Sequence, residues 1–155
     1  MDETTRSLFK AAKFGDLALA KTAIDSGADI DAKDQNGATP IHYAVRNGQG
    51  DTVNLLVENE AQVDAKDKDG ETPLHSAARG GYTQIAKLLI HKGADIVATN
   101  KLQQTPRLVA KRNGHDAIED ILVELLENAA KAKQQRHAAR VTLDRKDKGP
   151  PQIGG

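Results

Sequence analysis

The chain has 155 residues, and its 22 Lys and Arg balance its 22 Asp and Glu to a formal net charge of zero at pH 7. It has no cysteine, which excludes disulfides, thiolate metal sites and cysteine nucleophiles together. No run of about 18 apolar residues exists to cross a membrane, and the acidic Asp2-Glu3 start with no apolar stretch behind it lacks the pattern of a signal peptide. The expected setting is cytoplasmic, with the nucleus open to a chain of this size. The balance hides an asymmetry. Residues 1–127 carry 15 Lys/Arg against 20 Asp/Glu, whereas residues 128–155 carry seven against two. A split of this kind marks the C-terminal segment as an interaction tail or as a solvated end that aids solubility.

Taken in chain order, the sequence repeats itself every 33 residues. The first unit opens on Arg6-Ser7-Leu8-Phe9, with Phe9 and Phe14 expected to supply apolar bulk, and closes on Gly27-Ala28-Asp29-Ile30-Asp31-Ala32. The second carries Gly37-Ala38-Thr39-Pro40-Ile41-His42-Tyr43-Ala44, the third Gly70-Glu71-Thr72-Pro73-Leu74-His75-Ser76-Ala77, and the fourth a fainter Gln103-Gln104-Thr105-Pro106-Arg107-Leu108-Val109-Ala110. In each, Thr before Pro predicts a helix start, because Thr caps the first turn and proline's missing N–H is no loss there. Gly48, Gly81 and Gly114 then predict the end of that short helix. A second helix follows around Leu55-Leu56, Leu88-Leu89 and Ile121-Leu122. Ala11, Ala44, Ala77 and Ala110 share one register, where small side chains let neighbouring helices approach to about 8–10 Å. From His115 to about Arg140 there is no Gly or Pro, so the last helix is expected to run on well past Leu126. Its apolar stripe is Ile118, Leu122, Leu125 and Ala129. Beyond it the face becomes Lys133, Arg136, His137 and Arg140, and from Thr142 onward the polar, Gly/Pro-rich end reads as disordered.

A fixed period of this length implies stacked units sharing one continuous core, since a single unit cannot bury its apolar face alone. The Thr-Pro-Leu-His motifs, the in-register glycines and the Gly-Ala-Asp-Ile segments resemble the ankyrin-repeat family over residues 5 to about 126. The resemblance implies an all-α solenoid of helix-turn-helix units joined by β-hairpin-like turns. It divides the chain into a repeat domain at 1–126 (repeats at about 1–33, 34–66, 67–99 and 100–126) and a basic helix extension with a disordered tail at 127–155. Two positions depart from the pattern: Glu60 and Gln103 stand where glycine is usual, and a non-Gly residue in the left-handed region costs on the order of 1 kcal/mol.

Candidate chemistry is sparse. His42 and His75 occupy equivalent sites in adjacent repeats, which stacking places roughly 10 Å apart, too far for one zinc ion bound at about 2.0–2.1 Å. The resemblance implies that both are structural and hydrogen-bond within and between turns. His91, His115 and His137 show no ligand spacing. The pairs Asp29/Asp31 and Asp67/Asp69 sit in expected turns, where Asp serves local hydrogen bonding. No nucleophile triad, phosphate-gripping loop or nucleotide fingerprint is visible. The expectation is a protein that is not an enzyme and needs no cofactor or metal.

The resemblance places partner binding on the turn tips and the inner face of the first helices. By position the tips give Lys33, Gln35, Asn36 and Ala38, then Lys66, Lys68, Asp69 and Glu71, then Thr99, Lys101, Leu102 and Gln104. The inner helices give Tyr43, Arg46 and Asn47, then Ser76 and Arg79, then Val109, Arg112 and Asn113. Lys13, Arg46, Arg79 and Arg112 share one register, which reads as a basic ladder, a helix-dipole device, or both. The expected function is a monomeric adaptor or inhibitor docking a partner protein with an acidic surface on its concave face. The alternative is association with an anionic surface or nucleic acid through the basic tail; nucleic acid is not the expected partner, because that tail has no aromatic residue for base stacking, and no membrane partner is expected.

Overall fold

The computed structural model describes residues 1–150. Eight helices follow in order: α1 Glu3–Phe14, α2 Leu17–Asp25, α3 Pro40–Arg46, α4 Gly50–Glu58, α5 Pro73–Gly80, α6 Thr83–His91, α7 Pro106–Arg112 and α8 Asp116–Asp147. Among the described residues there is no strand, and the fold is all-helical. Backbone packing groups Met1–Asp120 into one compact unit and Ile121 onward into a second, the division falling inside α8.

The helix starts follow from the Thr-Pro pairs. Thr39, Thr72 and Thr105 are extended residues immediately before Pro40, Pro73 and Pro106, each proline opening its helix. Asp2 and Asp16 cap α1 and α2 by accepting the N–H groups of Thr5 at 2.7 Å and Leu19 at 3.0 Å. In the first unit α1 packs on α2 and α3, α3 on α5, and α5 on α7, so the short first helices form one layer and their partners α2, α4 and α6 a second. Ala11, Ala44, Ala77 and Ala110 are fully buried in the first layer, as their common register requires, with Leu8, Ile41 and Leu74 beside them. Phe14 departs from expectation. It is 64% exposed, with the Lys13 ammonium 5.3 Å from its ring centre, whereas Phe9 is half-buried and meets Tyr43 edge-on at 5.5 Å.

Both non-glycine departures adopt the left-handed backbone, Glu60 at φ 66° and Gln103 at φ 60°. Their tolerance has a steric cause. Gly70, one repeat before Gln103, has its α-carbon against the next turn, and a Cβ there would sit 3.1 Å from the Lys101 nitrogen and 3.2 Å from Asn100 Cα. Gly27 and Gly93, in the register of Glu60, have nothing within 4 Å of such a Cβ.

In the second unit Leu122 is buried, Leu125 is half-buried and Ala129 is already exposed, so the apolar stripe ends one turn earlier than expected. The expected disorder from Thr142 is corrected: α8 continues to Asp147 and stops just before Gly149-Pro150. Val141 to Asp147 contains no helix breaker, and Arg145 and Lys146 sit favourably at the negative end of the helix dipole. The part of that expectation covering residues 151–155 lies outside the described residues. Every residue from Glu127 to Pro150 is exposed. Deleting residues 141–155 should therefore leave the melting temperature unchanged within a degree or two in a calorimetric scan. A drop of several degrees would show that this segment contributes packing.

Candidate partner-binding face

Each turn between repeats is built around one side chain. Asp34 Oδ1 accepts the N–H groups of Asn36 and Ala38 at 2.8 and 2.9 Å, Asp67 Oδ1 those of Asp69 and Glu71 at 2.9 and 3.0 Å, and Asn100 Oδ1 those of Leu102 and Gln104 at 3.0 and 2.9 Å. A short polar side chain folding back on its own backbone holds a tight turn at little entropic cost. Successive tips are then tied together: Lys68 N–H donates to Asn36 O and Lys101 N–H to Asp69 O, both at 2.9 Å. The result is a continuous row of three tips with a fixed backbone.

Side chains add three further columns of stitches. His42 and His75 are fully buried. Each Nδ1 accepts from the N–H of its own Thr39 or Thr72 at 3.2 Å, and each Nε2 lies 2.9 Å from a carbonyl of the following repeat, Glu71 O or Gln104 O. With Nδ1 accepting, Nε2 carries the proton and donates, so both histidines serve structure as expected. Asp31 Oδ1 accepts from Gln62 N–H at 2.9 Å and Asp64 Oδ1 from Asp95 N–H at 2.8 Å. Lys33 Nζ donates to Lys66 O and Lys66 Nζ to Thr99 O, both at 3.2 Å. The Asp and Lys columns end at the close of the third repeat, where Val97 and Thr99 take those positions, and the His column ends in the fourth, where Leu108 stands.

The sequence-predicted site residues fall into three groups. Arg46 and Arg79 are not free cations. Arg46 pairs with Asp67, and Arg79 grips Glu71 with two bonds at 2.6 and 3.0 Å. Tyr43 is half-buried and donates its hydroxyl to Asp34 Oδ2 at 2.6 Å. Lys33 and Lys66 are engaged in stacking, and Lys13 lies over Phe14. Gln35, Lys68, Lys101, Leu102 and Arg112 are exposed, and Lys68, Lys101 and Arg112 form no salt bridge among the described residues. Leu102 is 77% exposed. Four positions assigned to the surface by register are buried instead: Ala38, Glu71, Ser76 and Val109. For Glu71 the cover comes from Arg79 in its own repeat and from Asn100 in the next, which register alone does not reveal.

Glu71 is the group that register misplaced most. Besides Arg79 it accepts from Asn100 Nδ2 at 2.6 Å. Burial pushes its carboxyl up, but the hydrogen bonds from Arg79 and Asn100 and the guanidinium charge outweigh that and hold it below the usual carboxylate range. Around it a cleft of about 360 Å³ is lined by Arg46, Asp67, Asp69, Arg79, Asn100, Lys101 and Leu102, joining the tip row to the ends of α3 and α5. Among the described residues no group of three or more His, Asp or Glu is placed to hold a metal ion, and no helix is long and apolar enough to cross a membrane.

Burial dominates the shift of His42, lowering its pKa below the ordinary imidazole value of about 6.5. A base depressed in the folded state binds fewer protons there than in the unfolded chain. Its contribution to stability is complete above the unfolded value and is lost as pH falls through that window. Glu71, also depressed, adds a second loss at more acid pH, below the ordinary carboxylate range. The urea midpoint should therefore fall between pH 7.5 and pH 5.5, and His42→Gln should flatten that dependence while lowering the midpoint overall. An equally steep dependence in the variant would assign the effect to another group.

The stitches tie each repeat to the next across 29 to 33 residues. A family model described as ankyrin repeats, in three copies, matches residues 8–100, more than half of the chain. The chain belongs to the ankyrin-repeat family. Ankyrin repeats generally mediate protein–protein interaction and are typically non-catalytic. Similar proteins include an ankyrin repeat-containing protein of Schizosaccharomyces pombe, 41% identical over 58 residues, covering 37% of this chain and 28% of that protein. The 2-5A-dependent ribonuclease of Mus musculus is 43% identical over 56 residues, covering 36% of this chain and 8% of that protein. A putative ankyrin repeat protein of fowlpox virus is 36% identical over 50 residues, covering 32% of this chain and 36% of that protein. The matches thus span well under two thirds of the relatives' own lengths.

Proposed function

We propose that this ankyrin-repeat chain is a non-catalytic adaptor or inhibitor that docks a partner protein on the face made by its turn tips and the ends of α3, α5 and α7. The repeat domain would comprise residues 1–126, working as a monomer in the cytoplasm or nucleus. The observation that carries the reading is the tip row itself. Its backbone is held by hydrogen bonds before any partner arrives, so little ordering entropy is lost on binding. Lys68, Lys101 and Arg112 supply cations that form no salt bridge among the described residues, Leu102 is an exposed apolar anchor, and Gln35 extends the row. These suit an acidic surface with an apolar side chain near its centre. Arg46 and Arg79, 40% and 49% exposed at their side chains, form the wall of the cleft rather than a free ladder. Tyr43 buttresses the first tip through Asp34, Lys33 and Lys66 tie successive repeats together, and Lys13 lies over Phe14.

Affinity capture from source-cell extract, read by quantitative mass spectrometry, tests this. The bait is compared with a Lys101→Glu/Leu102→Asp/Arg112→Glu variant whose melting temperature matches the parent. At least one protein enriched on the parent should be lost at least tenfold on the variant. Identical captured sets would remove the tip row from the reading.

A further inference from the structure

The tip row leaves the strongest charge concentration of the molecule unused. From Glu127 to Asp147, α8 is a helix exposed on every side. At 1.5 Å per residue these 21 residues extend for about 31 Å, the length of roughly nine base pairs of duplex DNA at 3.4 Å per step. We infer that this basic stretch of α8 is a duplex-DNA-binding element that lies in the major groove and is held by phosphates on both groove walls.

The arrangement of charge favours this occupant. At 100° per residue Lys133, Arg136, His137 and Arg140 fall within one side of the helix, while Lys131, Arg145 and Lys146 fall around the rest of the circumference. A helix seated in a major groove about 12 Å wide has a phosphate strand on either flank, so cations on opposite sides of one helix can both be used. Asp144 and Asp147 lie on the Lys133 side near the C-terminal end, which confines the contacts on that side to Lys133–Arg140. Gln134, about 100° round from Lys133 and so between the two cationic sides, is a neutral donor and acceptor for base edges.

The same features disfavour other occupants. A helix lying on a membrane needs a broad apolar face opposite its cations. Here the apolar residues after Glu127 are mostly Ala, Val141 and Leu143 project about 160° apart, and no aromatic residue is present. A second copy of the helix would find no continuous apolar seam to bury. Single-stranded RNA recognition relies on aromatic stacking platforms, which are also absent.

The test uses the full chain and a fluorescein-labelled 20-base-pair duplex, read by fluorescence anisotropy. Binding is expected at 50 mM NaCl, and about four phosphate contacts imply a fall in affinity of about 100-fold by 200 mM. Lys133→Glu/Arg136→Glu/Arg140→Glu should lower affinity at least tenfold at 50 mM with an unchanged melting temperature, because all three side chains are exposed. Lys68→Glu/Lys101→Glu should bind the duplex within twofold of the parent, which separates α8 from the tip row. No anisotropy change at 50 mM, equal affinity for a single strand of the same length, or tighter binding to phosphatidylserine vesicles than to the duplex would each overturn the inference.

Discussion

His75→Ala should lower stability by about 2–4 kcal/mol in a urea titration, while His91→Ala should change it by no more than about 0.5 kcal/mol. The two histidines differ in what their rings touch. His75 is fully buried, accepts from Thr72 N–H and donates across the repeat boundary to Gln104 O at 2.9 Å. Removing the ring leaves a cavity, a buried N–H and a carbonyl without their partners, and it unties the third repeat from the fourth turn. His91 is exposed at the end of α6. Equal losses would mean that the Thr–His pair is not part of the stitching between repeats.

Gly70→Ala should cost about 2–3 kcal/mol, and Gly93→Ala only about 1 kcal/mol, although both glycines have positive φ, 72° and 91°. Both changes carry the cost of a side chain in the left-handed region. Only Gly70 adds a steric term, because its Cβ would press on backbone of the next turn at Lys101 and Asn100. That turn cannot yield freely, since Lys101 N–H is bonded to Asp69 O and Asn100 Oδ1 closes its own loop. The converse changes should stabilise: Gln103→Gly and Glu60→Gly each relieve a strained backbone, by about 1 kcal/mol. Thermal melts of the four single variants give the ranking. Gly70 and Gly93 variants of equal stability would show that the spacing of the turns is not what keeps glycine at position 70.

The fold was legible because its determinants are local and recur. Thr-Pro marks a helix start, Gly81 and its equivalents mark ends, and a buried Ala at one register sets the spacing of neighbouring helices. Even the two glycine replacements announced left-handed residues correctly. The face was less legible, because its residues are defined by groups distant in sequence, within the repeat or in the next one. Glu71 reads as an exposed tip until Arg79, eight residues on, and Asn100, 29 residues on, close over it. Arg46 reads as a free cation until Asp67 meets it. One signal was available for the lysine stitches: Lys33 and Lys66 are exactly one period apart, and a residue that recurs with the repeat is a candidate for bonding between repeats. The length of α8 was underestimated for the opposite reason. Polarity after Thr142 was read as disorder, yet polarity does not break a helix, and the first residues that do are Gly149 and Pro150.

Hydrogen–deuterium exchange on the complex with a captured partner tests most directly whether the tip row is the docking surface. Peptides spanning residues 66–71 and 99–104 should exchange at least severalfold more slowly in the complex than in the free chain, with α2, α4 and α6 unchanged. Protection confined to those second-layer helices or to α8, with the tips unaffected, would contradict the account.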